Sequence, residues 1–330
     1  MTIHNIAYAE VIQRCHGLPY PNEREYAQIT SQFFRFRLKE IWNGDHSGDY
    51  VTVGWILPST VANMPWTSKF KIDHYSKTID IPYAPGEDFE SQAIAEQLDV
   101  ARTKGCFAMS KKLEEELYRV LGINRTVLVP RGGSALFGIQ TFGVQMTGYV
   151  RDEKTGEMKI WVPKRSATRM AHPGKMDNTV GGGATADEDH FDCMLREAKE
   201  EASLPEKWMR ENAKIVGTIS YFFVRDARAA GELGFLDRSM QFIYDVELPS
   251  YIVPKPLDGE VEEFYLWTID QTVEALKVGQ FKYNSAVTLI DFLIRHDYIS
   301  IRNEPELETL ISLIGRRHHG IATAKQVPPM

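Results

Sequence analysis

Cysteine is scarce in this chain: three residues in 330, Cys15, Cys106 and Cys193, an odd number with no CxxC pair. That count argues against a disulfide scaffold and offers no cysteine-based zinc centre. Long apolar runs are missing as well; none approaches the ~20 residues that a bilayer-spanning helix needs. The opening MTIHNIAYAEVIQRC does not have the pattern of a secretory signal. Nor is there a basic surplus. Lys and Arg number 38 against 45 Asp and Glu, a net charge of −7 and a pI of about 5.8. A general nucleic-acid binder is disfavoured, because neutralising phosphates needs a basic footprint. Internal repeats and low-complexity tracts are also lacking. What remains is ordinary globular composition, 43% hydrophobic and 25% charged. The expectation is a cytoplasmic protein with neither membrane nor nucleic-acid partner, long enough for about two domains.

Hydrophobic patterning supplies the elements. Residues 6–15 read as a short helix, 32–40 as a strand or helix edge, and VTVGWILP (51–58) as a buried strand running into a proline stop. Alternation over 67–83 fits a hairpin. Two helical stretches fit 88–121, the second being SKKLEEELYRVLG with Leu113, Leu117, Val120 and Leu121 on one stripe and Gly122 as its stop. Beyond residues 123–136, where the domain boundary falls, FGIQTFGVQMTGYV (137–150) and EMKIWVPKR (157–165) form an antiparallel hairpin. A Pro/Gly/Asn loop follows at 172–178. Strands are expected at 214–224, 241–248 and 262–268, and helices at 269–278 and 284–296. The reading gives an N-terminal α+β domain (1–130), a second domain (131–315) and a tail (316–330).

The chemistry concentrates in GGGATADEDHFDCMLREAKEEASL, residues 181–204. Asp187, Glu188 and Asp189 crowd a helix start, where the dipole favours negative charge. Phe191, Leu195, Ala198 and Ala202 recur at helical spacing and give one apolar face. Glu197, Glu200 and Glu201 lie three and four residues apart on another face. Three such acids repel one another without a compensating cation, and carboxylates suit hard divalent ions such as Mg²⁺ or Mn²⁺. The run Gly181-Gly182-Gly183 lets the backbone approach a ligand closely. A divalent ion in such a site can bridge a diphosphate, neutralise developing charge and lower the pKa of attacking water.

The spacing resembles the Nudix box: Gly, five residues, Glu, seven residues, then Arg-Glu-U-x-Glu-Glu-x-Gly-U, with U apolar. Gly182, Glu188, Arg196, Glu197, Ala198, Glu200, Glu201 and Leu204 match over 23 residues; Ser203 stands where the pattern has glycine. The resemblance implies an α+β fold, a Nudix α/β/α sandwich around a mixed sheet, preceded here by the smaller N-terminal domain. It implies metal-assisted hydrolysis of an organic diphosphate, a small-molecule partner, and Mg²⁺ or Mn²⁺. Carried over by position, Glu200 and Glu201 are metal ligands and Glu197 is a ligand or the base. Arg196 orients the glutamates, Glu188 ties loop to helix together with Gly182, and the Gly181 carbonyl is a further ligand. An additional acid from beyond the box falls to Glu260 or Glu263.

The likeness extends through 137–150, 161–183, 201–208, 255–266 and VGWILP to a eukaryotic Nudix subgroup whose members occur alone or fused to thiamine diphosphokinase. That wider likeness implies hydrolysis of thiamine diphosphate and its damaged oxo and oxy analogues to the monophosphates. Alternatives are an ADP-ribose or NADH pyrophosphatase and a non-catalytic ligand-sensing module. Lys164, Arg165 and Arg169 are candidates for the diphosphate. Trp42, Trp55, Trp66 and Tyr75 are candidates for stacking on the rings. The likeness does not extend to isopentenyl diphosphate isomerases, which would need a catalytic cysteine in a strand context. Cys193 reads as a packing residue, His172 as a loop residue, and His318 and His319 as part of a basic tail. The sequence sets no oligomeric state.

Overall fold

The computed structural model describes residues 6–41, 48–82, 88–107, 116–169, 171–225 and 234–316. In chain order the elements begin with α1 (Tyr8–Gln13), α2 (Tyr26–Thr30), β1 (Phe34–Lys39), β2 (Tyr50–Ile56) and α3 (Pro58–Asn63). Then come β3 (Lys71–Asp73), β4 (Thr78–Asp80), α4 (Phe89–Thr103), β5 (Leu117–Arg119) and β6 (Leu128–Pro130). The remainder comprises β7 (Thr141–Arg151), β8 (Met158–Arg165), β9 (Val180–Gly183), α5 (His190–Ala202), α6 (Glu206–Asn212) and β10 (Lys214–Val224). It ends with β11 (Leu236–Glu247), β12 (Val261–Thr268), α7 (Ile269–Lys277), α8 (Tyr283–Arg295) and α9 (Leu307–Ile314).

The larger sheet is mixed and six-stranded, in the order β10-β11-β7-β8-β12, with β9 also paired to β7. β11 and β7 run parallel, from Ser239 opposite Thr141 to Glu247 opposite Tyr149. Strand alternation sends successive side chains to opposite faces. In β11, Phe242, Tyr244 and Val246 face the core that holds Met194, Leu195 and Ala198 of α5, whereas Ile243 faces the core of α7, α8 and α9. Helices cover both faces, so the expected α/β/α sandwich is present. Each buried Leu, Met or Phe in these layers contributes ~1.5–3 kcal/mol relative to exposure.

The smaller sheet has the order β2-β1-β4-β3 and is mixed too, with β1 and β4 parallel. Its core includes Phe36, Ile56 and Ile79 with Ile94 and Leu98 of α4. The two sheets meet where the Trp55 N–H donates to the Gly138 carbonyl at 3.2 Å. Gly138 has φ +57, and a side chain there would collide with the Trp55 backbone. Residues of α1 pack elsewhere: Val11 and Ile12 join Val287 and Leu310 in the core of the larger sheet.

Most elements follow the hydrophobic pattern, including the β3–β4 and β7–β8 hairpins. One expected helix requires correction. Of the stretch read as helical to Gly122, residues 108–115, including Leu113, lie outside the described residues, and Leu117–Arg119 is a strand antiparallel to Leu128–Pro130. Tyr118 is buried between exposed Leu117 and Arg119, a period of two that the leucine spacing masks. Pro58, read as a stop, occupies the first turn of α3, where its missing N–H costs nothing. The glycine run 181–183 belongs to strand β9.

Candidate active site

Helix α5 begins at Asp189, whose carboxylate accepts from the N–H groups of Phe191 and Asp192 at 2.8 and 2.9 Å. This cap satisfies otherwise orphaned donors and fixes the rotation of the helix. Its apolar face packs on β7 and β11 and turns Glu197 and Glu201 inward, both buried, while Glu200 stays half exposed. The helix ends at Ser203 with φ +53. Glycine tolerates that left-handed conformation better; here the Ser203 hydroxyl donates to the Lys255 carbonyl at 3.0 Å, and the Lys255 N–H donates to the Ala202 carbonyl at 2.9 Å. The one departure from the box therefore alters a helix terminus and leaves the carboxylates in place.

Arg196 is the hub. Its Nε and Nη2 donate to the Glu188 carboxylate at 2.7 and 2.9 Å, a bidentate pair. Nη1 reaches Glu197 at 2.9 Å and Glu200 at 3.1 Å, and Nη2 also reaches the Gly183 carbonyl at 3.2 Å. Glu188 in turn accepts from the Thr185 N–H at 3.2 Å, tying the loop to the helix. Burial raises the Glu188 carboxyl, but Arg196 and Thr185 outweigh it and hold it below the ordinary range.

The glycine strand lies against the acids. The Gly181 N–H donates to the Glu201 carboxylate at 2.9 Å, and a methyl group on Gly182 would overlap the Glu197 carboxylate. Burial lifts Glu197 to about 7 despite Arg196, with Glu200 adding to the rise. Burial and then Glu197 push Glu201 well up, and Glu260 contributes further. Among the described residues no group of three His, Cys, Asp or Glu side chains is drawn together closely enough to hold a metal ion. The chemistry of the acids nevertheless fits a hard divalent cation: Glu197, Glu200 and Glu201 offer carboxylate oxygens, and any side chain on Gly182 would fill the space that Glu197 occupies. A cation there would offset the burial, and the lesser like-charge repulsion, that raise Glu197 and Glu201.

The other sequence candidates separate. Glu260 pairs with Arg169 and lies in the field of Glu201, whereas Glu262 pairs with Lys164 at 2.8 Å. The pairing of β12 with β8 shifts register between Val261 and Glu263, so simple alternation does not describe Glu260–Glu263. Arg165 is buried and committed internally: it donates to Asp177 at 2.5 Å and to the carbonyls of Ala171 and His172 at 3.0 and 3.2 Å. The expectation that it takes substrate phosphate is corrected to a structural role for that side chain. The N-terminal aromatics do not converge. Trp66 packs on Phe70 and Phe137, Trp55 packs beside Tyr20, and Tyr75 is fully exposed. Trp42, His318 and His319 lie outside the described residues. Cys193 is buried within α5, its thiol pushed up by burial and by Glu197, as a packing residue would be.

Two residues escaped the sequence reading. Lys282, largely buried, places its ammonium 3.6 Å from Asp177 and within the field of Glu201. Arg131, after β6, lies within the field of Glu197. Neither carries a local motif, and only the chain's path brings them to the helix.

Comparison with known proteins places the box in a wider frame. Residues 142–286 match the NUDIX domain. An uncharacterized protein of Saccharomyces cerevisiae is 38% identical over 58% of this chain and 57% of its own length. Nudix hydrolase 20, chloroplastic, of Arabidopsis thaliana is 32% identical over 69% of this chain and 58% of its own length. Nudix hydrolase 24, chloroplastic, of the same plant is 30% identical over 70% and 60%. The chain thus spans somewhat more than half the length of these relatives. No helix among the described residues is long and apolar enough to cross a membrane. The box and the glycine–glutamate cradle fall within residues 142–286, the stretch that matches the NUDIX domain.

Proposed function

We propose that this protein hydrolyses an organic diphosphate, with thiamine diphosphate and its oxo and oxy analogues as substrates. The observation that carries the reading is the cradle of Glu197, Glu200 and Glu201 against Gly181 and Gly182, with Arg196 bridging Glu188 and two of the three acids. The similarity to two proteins named Nudix hydrolases supports hydrolysis. The thiamine substrate rests on the wider sequence likeness outside the box.

Glu197, Glu200, Glu201 and the Gly181 carbonyl are assigned to hold Mg²⁺ or Mn²⁺, with Glu260 in reach of Glu201. Bound there, the ion supplies positive charge to the diphosphate oxygens and acidifies water. Water attacks one phosphorus, the bridging P–O bond breaks, and thiamine monophosphate and phosphate leave; the attacking water's proton passes to a carboxylate. Glu197 is assigned either as a ligand of that ion or as the carboxylate that takes this proton. Arg196 holds Glu197 and Glu200 in orientation. Lys164 and Arg169, each paired with a carboxylate at the start of β12, remain the candidate phosphate contacts from β8 and its following loop.

The test compares turnover of thiamine diphosphate, oxythiamine diphosphate and ADP-ribose at equal concentration with Mg²⁺ or Mn²⁺. Faster cleavage of the thiamine compounds is expected. Faster ADP-ribose cleavage would reassign the substrate, and binding without turnover of any of them would make this a ligand-sensing module.

A further inference from the structure

The smaller N-terminal region reaches the carboxylate helix through β5. That strand runs beside the loop that enters α5, and the Ala186 N–H donates to the Leu117 carbonyl at 2.9 Å. From β5, Tyr118 points inward and is buried; a methyl group placed on Gly183 would overlap its hydroxyl. Gly183 is the residue whose carbonyl Arg196 holds. Beyond β6, the paired strand, stands Arg131. Its N–H donates to the Glu116 carbonyl at 2.8 Å, and Nη1 donates to the Glu116 carboxylate at 2.5 Å, which anchors both ends of the hairpin. The side chain as a whole stays 31% exposed. Tyr118 and Glu197 lie within its field.

This arrangement answers a difficulty in the site. Glu197, Glu200 and Glu201 attract cations but repel the diphosphate itself, and Arg196 is consumed by Glu188, Glu197 and Glu200. The nearby cations on β8, Lys164 and Arg165, are paired with Glu262 and Asp177. Arg131, in whose field Glu197 lies, carries a five-donor fork with one nitrogen anchored by Glu116.

We propose that the β5–β6 hairpin completes the diphosphate site: Arg131 holds a non-bridging phosphoryl oxygen beside Glu197, and Tyr118 is a positioning residue that sets the glycine strand against α5. Both residues precede the NUDIX match, which begins at 142. The N-terminal region thereby adds a cation to the site beside Lys164 and Arg169. The assignment rests on the diphosphate chemistry proposed above, but its binding test does not need turnover.

The experiment titrates methylenediphosphonate, which has no hydrolysable bridge, with Mg²⁺ into the full chain by calorimetry. The proteins are wild type, Arg131→Gln, Arg131→Lys and Tyr118→Phe, and KM and kcat are measured in parallel. Losing one charge-assisted contact to phosphate should weaken Arg131→Gln about tenfold or more in affinity and in KM, with kcat less affected. Arg131→Lys, which keeps the charge without the fork, should fall between. Tyr118→Phe, which keeps the ring but removes the hydroxyl packed over Gly183, should lower kcat several-fold and leave KM near wild type. Wild-type affinity and KM in Arg131→Gln would overturn the role of Arg131; unchanged kcat in Tyr118→Phe would overturn that of Tyr118. Should Arg131→Gln fail to fold, Arg131→Lys decides by the same criterion. If wild type binds methylenediphosphonate through Arg131 yet cleaves nothing, hydrolysis falls and this site stands. If wild type turns over substrate and Arg131→Gln binds normally, only this site falls.

Discussion

Asp177 and Glu201 are both largely buried carboxylates in the same half of the molecule, and their titrations move in opposite directions. Around Asp177, burial alone would raise the carboxyl, but Lys282, Arg165 and the Ser285 hydroxyl outweigh it and hold it well below the ordinary range. Around Glu201 the neighbours are other acids. Burial comes first, Glu197 adds to it, and the Gly181 N–H offsets only part, so the carboxyl is pushed well up. One is a finished ion cluster whose charges cancel within the protein. The other is a set of acids that Arg196, Arg131 and Lys282 balance only in part. Burial of charge thus serves architecture in one case and ligand binding in the other, and what distinguishes them is the sign of the neighbours.

Removing each carboxylate should separate these roles most sharply. Asp177→Asn leaves Lys282 and Arg165 as largely buried cations without their counter-ion, and breaking a buried pair from one side typically costs about 3–5 kcal/mol. Thermal or urea unfolding should show a loss of that order. Glu201→Gln keeps an acceptor for the Gly181 N–H and removes a disfavoured buried charge, so its unfolding midpoint should equal or exceed that of wild type. Its diphosphatase rate should fall about a hundredfold or more, as loss of an electrostatic partner in the transition state implies. Stability lost at Glu201 and kept at Asp177 would reverse the assignment of the two clusters.

A second, smaller effect follows from linkage. A carboxyl raised in the folded state binds more protons there than in the unfolded chain, so its contribution to stability is complete below its unfolded value and is lost as pH rises through the folded one. For Glu197 the window runs from about 4.5 to about 7. Without divalent ions, the contribution of this cluster to stability should decline across that window. Mg²⁺ competes with protons for the same oxygens, so its stabilising increment should be larger at pH 8 than at pH 6. Melting temperatures at the two pH values, with and without Mg²⁺, measure it. An equal increment at both would mean that the ion does not engage these acids.

The sequence made one of these clusters legible and hid the other. Glu197, Glu200, Glu201 and Arg196 fall within one helical segment, where spacing of three and four residues alone sets adjacency. The sandwich was legible too, since β7, β10, β11 and β12 are β-prone apolar runs and α7 and α8 carry apolar stripes. Asp177, Arg165 and Lys282 come from a loop, a strand and a helix start, and no local pattern announces that they meet. Arg165 consequently looked available for phosphate, though the fold buries it. β5 was misread because Leu117, Val120 and Leu121 satisfy a helical stripe, whereas strand character comes from pairing with β6. β9 defied propensity. Three glycines weaken a strand. Here Gly183 pairs with Gly143 and Gly182 with Val144 of β7, which holds the run in place, and the absent side chain at Gly182 makes room for Glu197.

Glu260 stands at the seam between the two clusters and offers the finest test. Its carboxylate pairs with Arg169, yet its charge is felt at Glu201. It therefore belongs partly to the balanced network and partly to the unbalanced one. Replacing it with Gln removes one of the acids that raise Glu201 and one source of attraction for a divalent ion, while freeing Arg169. The two changes oppose each other for a substrate–metal complex but add for the metal alone. Glu260→Gln should thus weaken Mg²⁺ or Mn²⁺ binding by several-fold, roughly the 1 kcal/mol of a partly exposed charge interaction, and shift KM less. Glu263 is exposed and does not figure among the charges acting on Glu201, so Glu263→Gln should leave metal affinity unchanged. Calorimetric titration of Mn²⁺ into both variants distinguishes them. If Glu263→Gln weakens binding and Glu260→Gln does not, the additional acid comes from the other side of the register shift in β12, and Glu260 belongs wholly to the balanced cluster.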